Sequence, residues 1–134
     1  MTGNTLKFQI HKDRIVTSNQ RLHWARKARL VAYLRNRSRL QARSGINDGT
    51  LTPYADDEKA VAWATIAYPT RRRADPNNIA PTTKAIVDGL VDAGLLTDDD
   101  SKHLEGPHHV RAEEPAPRGY YTIEIQLEKK EEQA

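Results

Sequence analysis

The sequence contains no cysteine. This excludes disulfides, cysteine-ligated zinc, iron–sulfur clusters and thiol catalysis, and leaves only oxygen or histidine ligands for a metal. It also lacks an apolar run long enough to span a bilayer, and its opening, MTGNTLKFQI, does not have the basic-then-apolar layout of a secretory signal. A soluble, intracellular protein with no membrane partner is expected. There is no P-loop, GxGxxG, nucleophile elbow, zinc-finger or HExxH pattern. These absences argue against the common routes of nucleotide hydrolysis, hydride transfer, serine hydrolysis and a helical zinc site, and no nucleotide cofactor is expected. What remains is phosphodiester chemistry on nucleic acid, or nucleic-acid binding alone.

Acidic residues are scarce at one end only. Residues 1–50 hold 11 Lys/Arg against 2 Asp, residues 51–100 hold 5 basic and 9 acidic side chains, and residues 101–134 hold 5 and 7. The formal net charge of +3 hides this asymmetry. A basic first segment beside an acidic centre joins a surface that attracts phosphate to a pocket that repels it unless a cation is present.

The 134 residues fit one domain. Leu6, Phe8 and Ile10 alternate with Lys7 and Gln9, which predicts a strand over 5–11. Thr17, Ser18 and Asn19 then offer an N-cap for a helix over about 21–43. Trp24, Ala28, Val31 and Leu34, widened by Leu30, form its core stripe. Its other faces carry Arg26, Lys27, Arg29, Arg35, Arg37, Arg39 and Arg43 with almost no acidic partners, either a solvated face or a surface that tracks phosphates. Residues 44–58 read as a loop and KAVAWATIAYP as a central strand. Pro81 and Gly94 bracket a second helix over about 81–93. A short strand is expected near Val110, and the alternation of Tyr121, Ile123, Ile125 and Leu127 marks the clearest strand in the chain. The expected fold is α+β: one small domain, a mixed sheet of about four strands with one long and one short helix, in the order β-α-β-α-β-β. The charged tail from about residue 129 is expected to fray.

The chemistry is concentrated between Arg71 and Asp100. Magnesium prefers hard oxygen ligands and takes one or two carboxylates plus substrate phosphate oxygens. Asp75 follows a strand, and Asp98, Asp99 and Asp100 follow a helix. If that helix runs back antiparallel to the following strands, both loops open at one end of the sheet and the two acidic sites meet around a cation. An aspartate run after a helix is equally an ordinary solvated turn. Asn77 and Asn78 suit a turn, or supply neutral oxygens. Lys84 either forms a surface pair with Asp88, four residues on, or stands beside a phosphate bound at the helix start. Arg71, Arg72 and Arg73 suit backbone phosphate contacts. Among the histidines, His108 and His109 read as a surface loop pair, and His103 is kept as a candidate for proton transfer or phosphate contact.

These residues resemble the RusA-type Holliday-junction resolvases, small endodeoxyribonucleases of phage and prophage origin. The family pattern is a basic run, Asp-x-Asp-Asn, a helix with Lys-x-x-x-Asp-x-Leu, an Ala-Gly turn and an Asp-Asp pair. Here it reads Arg71-Arg72-Arg73, Asp75-Pro76-Asn77-Asn78, Lys84 to Asp88 and Leu90, Ala93-Gly94, and Asp98-Asp99. Ser18-Asn19-Gln20-Arg21 is similar to the family's Asn-rich segment before its first helix.

The resemblance implies a Mg²⁺-dependent homodimer, with Mn²⁺ able to substitute, that nicks four-way DNA junctions in pairs during recombination and repair, in the cytoplasm of a bacterial or phage-infected cell. It implies Asp75, Asp99 and Lys84 as catalytic residues, and Asp75, Asn77 and Asp99 as the metal set. Asn19, Arg21, Arg26, Arg29, Arg71, Arg72, Arg73 and Asn78 would contact DNA. The chain departs from the pattern at Asn77, where the family has a second aspartate, and in extra residues before Lys84, including Pro81. Asp98 or Asp100 is available to replace the missing carboxylate. The alternatives are a junction- or DNA-binding accessory protein that does not cut, and an RNA-directed protein.

Overall fold

A computed structural model describes residues 3–131. The elements run β1 (Asn4–His11), a short 3-10 turn (Lys12–Arg14), α1 (Trp24–Asp48), β2 (Ala60–Ala67), a second 3-10 turn (Pro76–Ile79), α2 (Ala80–Asp92), β3 (Leu104–Arg111) and β4 (Tyr120–Lys129). The expected α+β class and element order are both present. The four strands form one sheet in the order β1-β4-β2-β3. β4 is antiparallel to β1 and to β2, whereas β2 and β3 are parallel, with Ala60 opposite Leu104.

The alternation read from the sequence decides which face is buried. Leu6, Phe8 and Ile10 of β1 and Ile123, Ile125 and Leu127 of β4 all point into the core beneath the helices. In β2 the inward positions are Ala60, Ala62, Ala64 and Ile66, all fully buried. Short side chains there leave room for α2, whose Ala85, Ile86, Val87 and Leu90 complete the core.

The two helices cross closely at Gly89. A Cβ at that position would lie 2.3 Å from the Arg35 carbonyl oxygen. The crossing is fixed by Ser38 Oγ, which donates to the Ile86 carbonyl at 2.6 Å, and by Arg35, which donates twice to Asp92 at 2.5 and 2.8 Å. Gly94, at φ 86°, ends α2 as expected: the Leu95 amide reaches back to the Leu90 carbonyl, a geometry that favours glycine at the turn.

The structure corrects several local expectations. α1 is capped by His23, whose Nδ1 accepts from the Ala25 amide at 3.3 Å, so Arg21 and Leu22 precede the helix. It continues to Asp48 through a segment rich in turn formers. Gly45 is buried there against the side chain of Leu51, and tertiary packing overrides propensity. The buried stripe of α1 is Leu34, Ser38, Ala42 and Gly45, while Trp24 and Ala28 are exposed.

β3 is a full eight-residue strand and not a short one near Val110; Gly106 and Pro107 interrupt its sequence pattern at a bulge opposite Val61 and Trp63. His108 and His109 therefore lie on a strand, not in a loop. β4 extends to Lys129, which pairs with Glu58 at 3.1 Å, and the Lys130 amide donates to the Lys59 carbonyl. The fraying expected from about residue 129 thus does not begin there, and residues 132–134 lie outside the described residues.

Candidate functional site

Because β1, β2 and β3 all point the same way, their carboxyl ends share one end of the sheet. The loops that leave β1 and β2 at that end carry Asn19, Arg21, Arg71, Arg72, Arg73 and Asp75.

The two loops are fastened together. The Ser18 amide donates to the Asn78 carbonyl at 2.9 Å, the Val16 amide donates to Thr82 Oγ1 at 2.8 Å, and Thr82 Oγ1 donates back to the Val16 carbonyl at 2.7 Å. Thr82 is fully buried. Replacing it by valine keeps the shape but orphans both groups of Val16. Thr82→Val is therefore expected to destabilise the fold by about 1–3 kcal/mol, measured by urea denaturation.

Asp75 caps the 3-10 turn that precedes α2. Its Oδ1 accepts from the Asn77 amide at 3.0 Å, and its carbonyl accepts from the Asn78 amide and from the Tyr68 hydroxyl. Pro76 follows at the first position of the turn, where a missing N–H costs nothing. Asn77 is exposed and Asn78 half-buried.

Lys84 lies on the exposed face of α2. Its Nζ donates to Asp88 Oδ1 at 2.8 Å and to Asp99 Oδ2. The surface pair with Asp88 is thus formed, and a carboxylate fifteen residues away joins it. The hydrogen bonds to Asp88 and Asp99 hold the ammonium above its ordinary pKa, and the ammonium holds the Asp99 carboxyl below its own. Lys84 and Asp99 therefore both carry charge at neutral pH. The Asp99 amide donates to Asp98 Oδ1 at 2.7 Å, which folds the acidic run into a tight turn.

The expected meeting of the two acidic loops at one end of the sheet does not occur. β3 runs parallel to β2, so the loop after β2 and the aspartate run before β3 lie at opposite ends of that strand pair, with α2 between them. Among the described residues no hydrogen bond or ion pair links Asp75 to Lys84, Asp98, Asp99 or Asp100, and no three His, Asp or Glu side chains converge as a metal-ligand group. The donor chemistry nonetheless fits magnesium. Asp88 and Asp99 present partly exposed carboxylates on either side of a single cationic atom, and Mg²⁺ needs only one or two protein carboxylates when phosphate and water complete its shell. Asp88 is visible in the sequence as the partner of Lys84 four residues on and as the aspartate of the motif, but its proximity to Asp99 requires the fold.

His103 is engaged on both ring nitrogens. Nδ1 lies 2.6 Å from Asp100 Oδ1, and Nε2 lies 3.1 Å from the Asp56 carbonyl. The hydrogen bond to Asp100 raises the histidine's pKa. Asp100 and His103 thus tie the start of β3 to the loop before β2, and neither ring nitrogen is open to a substrate. His109 Nε2 is 2.8 Å from Thr83 Oγ1, and burial pushes its pKa down, so it is neutral and joins β3 to α2.

The arginines divide by role. Arg35 and Arg43 hold α1 to α2, Arg43 by donating to the Ala93 carbonyl at 3.1 Å. Arg37 donates to the Tyr33 hydroxyl and Arg39 to Asn36. Arg71 pairs with Glu114 at 2.9 Å across an exposed surface. Arg21, Arg26, Lys27, Arg29, Arg72 and Arg73 are exposed, and among the described residues none of them pairs with a carboxylate. No helix of the described residues is long and apolar enough to cross a membrane. Compared with known proteins, the chain matches no family model and no curated sequence.

Proposed function

We propose that this chain is a Mg²⁺-dependent endodeoxyribonuclease of the RusA type, acting as a homodimer on four-way DNA junctions. The observation that carries this reading is the cluster of Lys84, Asp88 and Asp99, because three positions of the motif converge across fifteen residues of chain. A solvated aspartate turn would not need to close on the helix lysine. The unpaired cations at the carboxyl ends of β1 and β2 supply phosphate contacts independent of base sequence.

In this reading Lys84 donates to a phosphate oxygen at the reacting linkage, and its two carboxylates keep it protonated for that task. Asp99 and Asp88 offer the hard oxygens that would hold the cation, whereas Asp75 and Asn77, which the motif would add to the metal set, stand at the other end of the β2–β3 pair. A bound Mg²⁺ supplies a lower pKa for an attacking water and charge stabilisation for the departing oxygen. Two copies related by a twofold axis match two cuts in a twofold junction.

A second reading is favoured by Asn77 and by the separation of Asp75 from Asp99: a junction-binding accessory protein that does not cut. One gel separates the two. Purified protein is incubated with a labelled four-way junction, a duplex and a single strand, with and without Mg²⁺ or Mn²⁺. Paired nicks in the junction only with metal are expected. Retarded junction with no cleavage across both metal titrations would establish the accessory reading instead.

A further inference from the structure

Trp24 is the most exposed large apolar side chain on the described surface, at 77%. It opens α1, and every residue from Trp24 to Arg29 except Ala25 is exposed, because the first fully buried position of the helix is Leu34. The first residue of α1 packed against the core is the half-buried Leu30, and the side-chain hydrogen bonds from α1 to α2 begin at Arg35. The first turns of α1 therefore project beyond the body of the protein. A segment kept in solution for its own sake has no use for a tryptophan, whose large apolar surface ordinarily fills a core or an interface.

The surroundings specify what covers it. Lys27, one turn on, shares the side of α1 that carries the indole, Arg21 stands just before the helix and Arg26 and Arg29 lie round its other faces. Among the described residues none of the four has a carboxylate partner. The His23 ring lies beside the indole, with centroids 5.6 Å apart and planes inclined by 32°, and its Nδ1 is held by the Ala25 amide. A flat aromatic surface rimmed by free cations is complementary to a polyanion that carries aromatic rings, and poorly suited to an apolar protein face. The segment is also positioned. Six residues before Trp24, Ser18 is bonded to Asn78, so the indole stands at the end of the sheet that carries Asp75 and Arg71 to Arg73.

We propose that Trp24 is a stacking platform for an unpaired base of branched or single-stranded DNA, with Lys27 beside it holding an adjoining phosphate. This inference rests on the nucleic-acid reading above. Stacking on an aromatic side chain needs an unstacked base, which a branch point or a single strand offers and a perfect duplex does not. The platform therefore favours branched over linear duplex DNA without reading a sequence.

The chain has two tryptophans, so Trp63→Phe leaves Trp24 as the sole indole reporter. That variant is titrated in EDTA, where no cutting occurs, with a four-way junction, a 12-residue oligo-dT strand and a blunt duplex. Quenching of Trp24 emission by the first two and not by the duplex is expected. In the otherwise native chain, Trp24→Ala should weaken junction binding roughly 5- to 150-fold, the range found when base-stacking aromatics are truncated. Trp24→Phe should retain most of the affinity. Lys27→Ala should weaken all three substrates alike and flatten the salt dependence.

Junction binding without quenching, and with Trp24→Ala as tight as the native chain, overturns the platform and leaves the DNA reading standing. Absence of binding to any of the three DNAs overturns both. A blue shift of Trp24 emission with rising protein concentration and no DNA would assign the indole to a contact between copies and likewise overturn it.

Discussion

Asp99→Asn is expected to lower metal-dependent nicking of a four-way junction by at least ~10²-fold, the scale on which removal of one preorganised electrostatic group acts, while junction binding in EDTA stays close to that of the native protein. The substitution keeps the size and acceptor geometry of the side chain but removes the charge that faces Lys84. Little stability should be lost, because a pair this exposed contributes about 1 kcal/mol or less. Loss of activity would therefore report chemistry and not unfolding, a distinction checked by thermal denaturation of the same sample.

Asp75→Asn makes the matching test at the other carboxylate. Asparagine caps a turn as well as aspartate does, so the bond from the Asn77 amide survives. If Asp75 belongs to the metal set, nicking should again fall by at least ~10²-fold despite an intact turn. If only Asp99→Asn is inactive, the centre is the cluster around Lys84 and Asp75 is a cap. Native cutting by both variants would sink the nuclease assignment.

The regular elements were legible wherever one residue's period matched one buried face. β4 could be placed from the alternation of Tyr121 to Leu127, and its inward residues are the ones that the alternation selects. α2 could be bracketed by Pro81 and Gly94, because the backbone needs of a helix start and stop are local. The strand order was not legible. Whether the strand after α2 lies parallel or antiparallel to β2 is decided by pairing over forty residues of chain, and that choice separates the loops of Asp75 and Asp99.

Trp24 shows a subtler limit. It precedes the buried Ala42 by eighteen residues, about five helical turns, so it is in phase with the core stripe. The periodicity identified the correct face of α1 but carried no information on how far the body beneath it extends. Lys84 shows the reverse case. Its partner Asp88 follows from spacing alone, whereas Asp99 joins it only because the chain leaving α2 turns back over the helix.

Gly89→Ala is expected to destabilise the protein by about 2–4 kcal/mol, although alanine is the better helix former by about 1 kcal/mol. The reason lies in what the added methyl meets. Its Cβ would stand 2.3 Å from the Arg35 carbonyl oxygen, 2.7 Å from Ser38 Cβ and 2.9 Å from the Arg39 nitrogen. Two of these are backbone atoms of α1, which cannot turn aside as a side chain can, so the helices must separate. Separation strains the buried bond from Ser38 Oγ to the Ile86 carbonyl and the paired bonds from Arg35 to Asp92. Overpacking and weakened hydrogen bonding together exceed the gain in propensity.

Gly49→Ala is the control. Gly49 has a positive φ of 85° but nothing within 4 Å of an added Cβ, so its substitution reports backbone conformation alone and should cost only about 1 kcal/mol. A urea midpoint for Gly89→Ala well below that of Gly49→Ala is the expected result. A midpoint at or above the native value would mean that the helices do not cross at Gly89. Because α2 carries Lys84 and its C-terminal turn leads to Asp99, any Gly89→Ala protein that still folds should also show a looser Lys84–Asp99 contact, read as a rise of the Asp99 pKa towards its ordinary value.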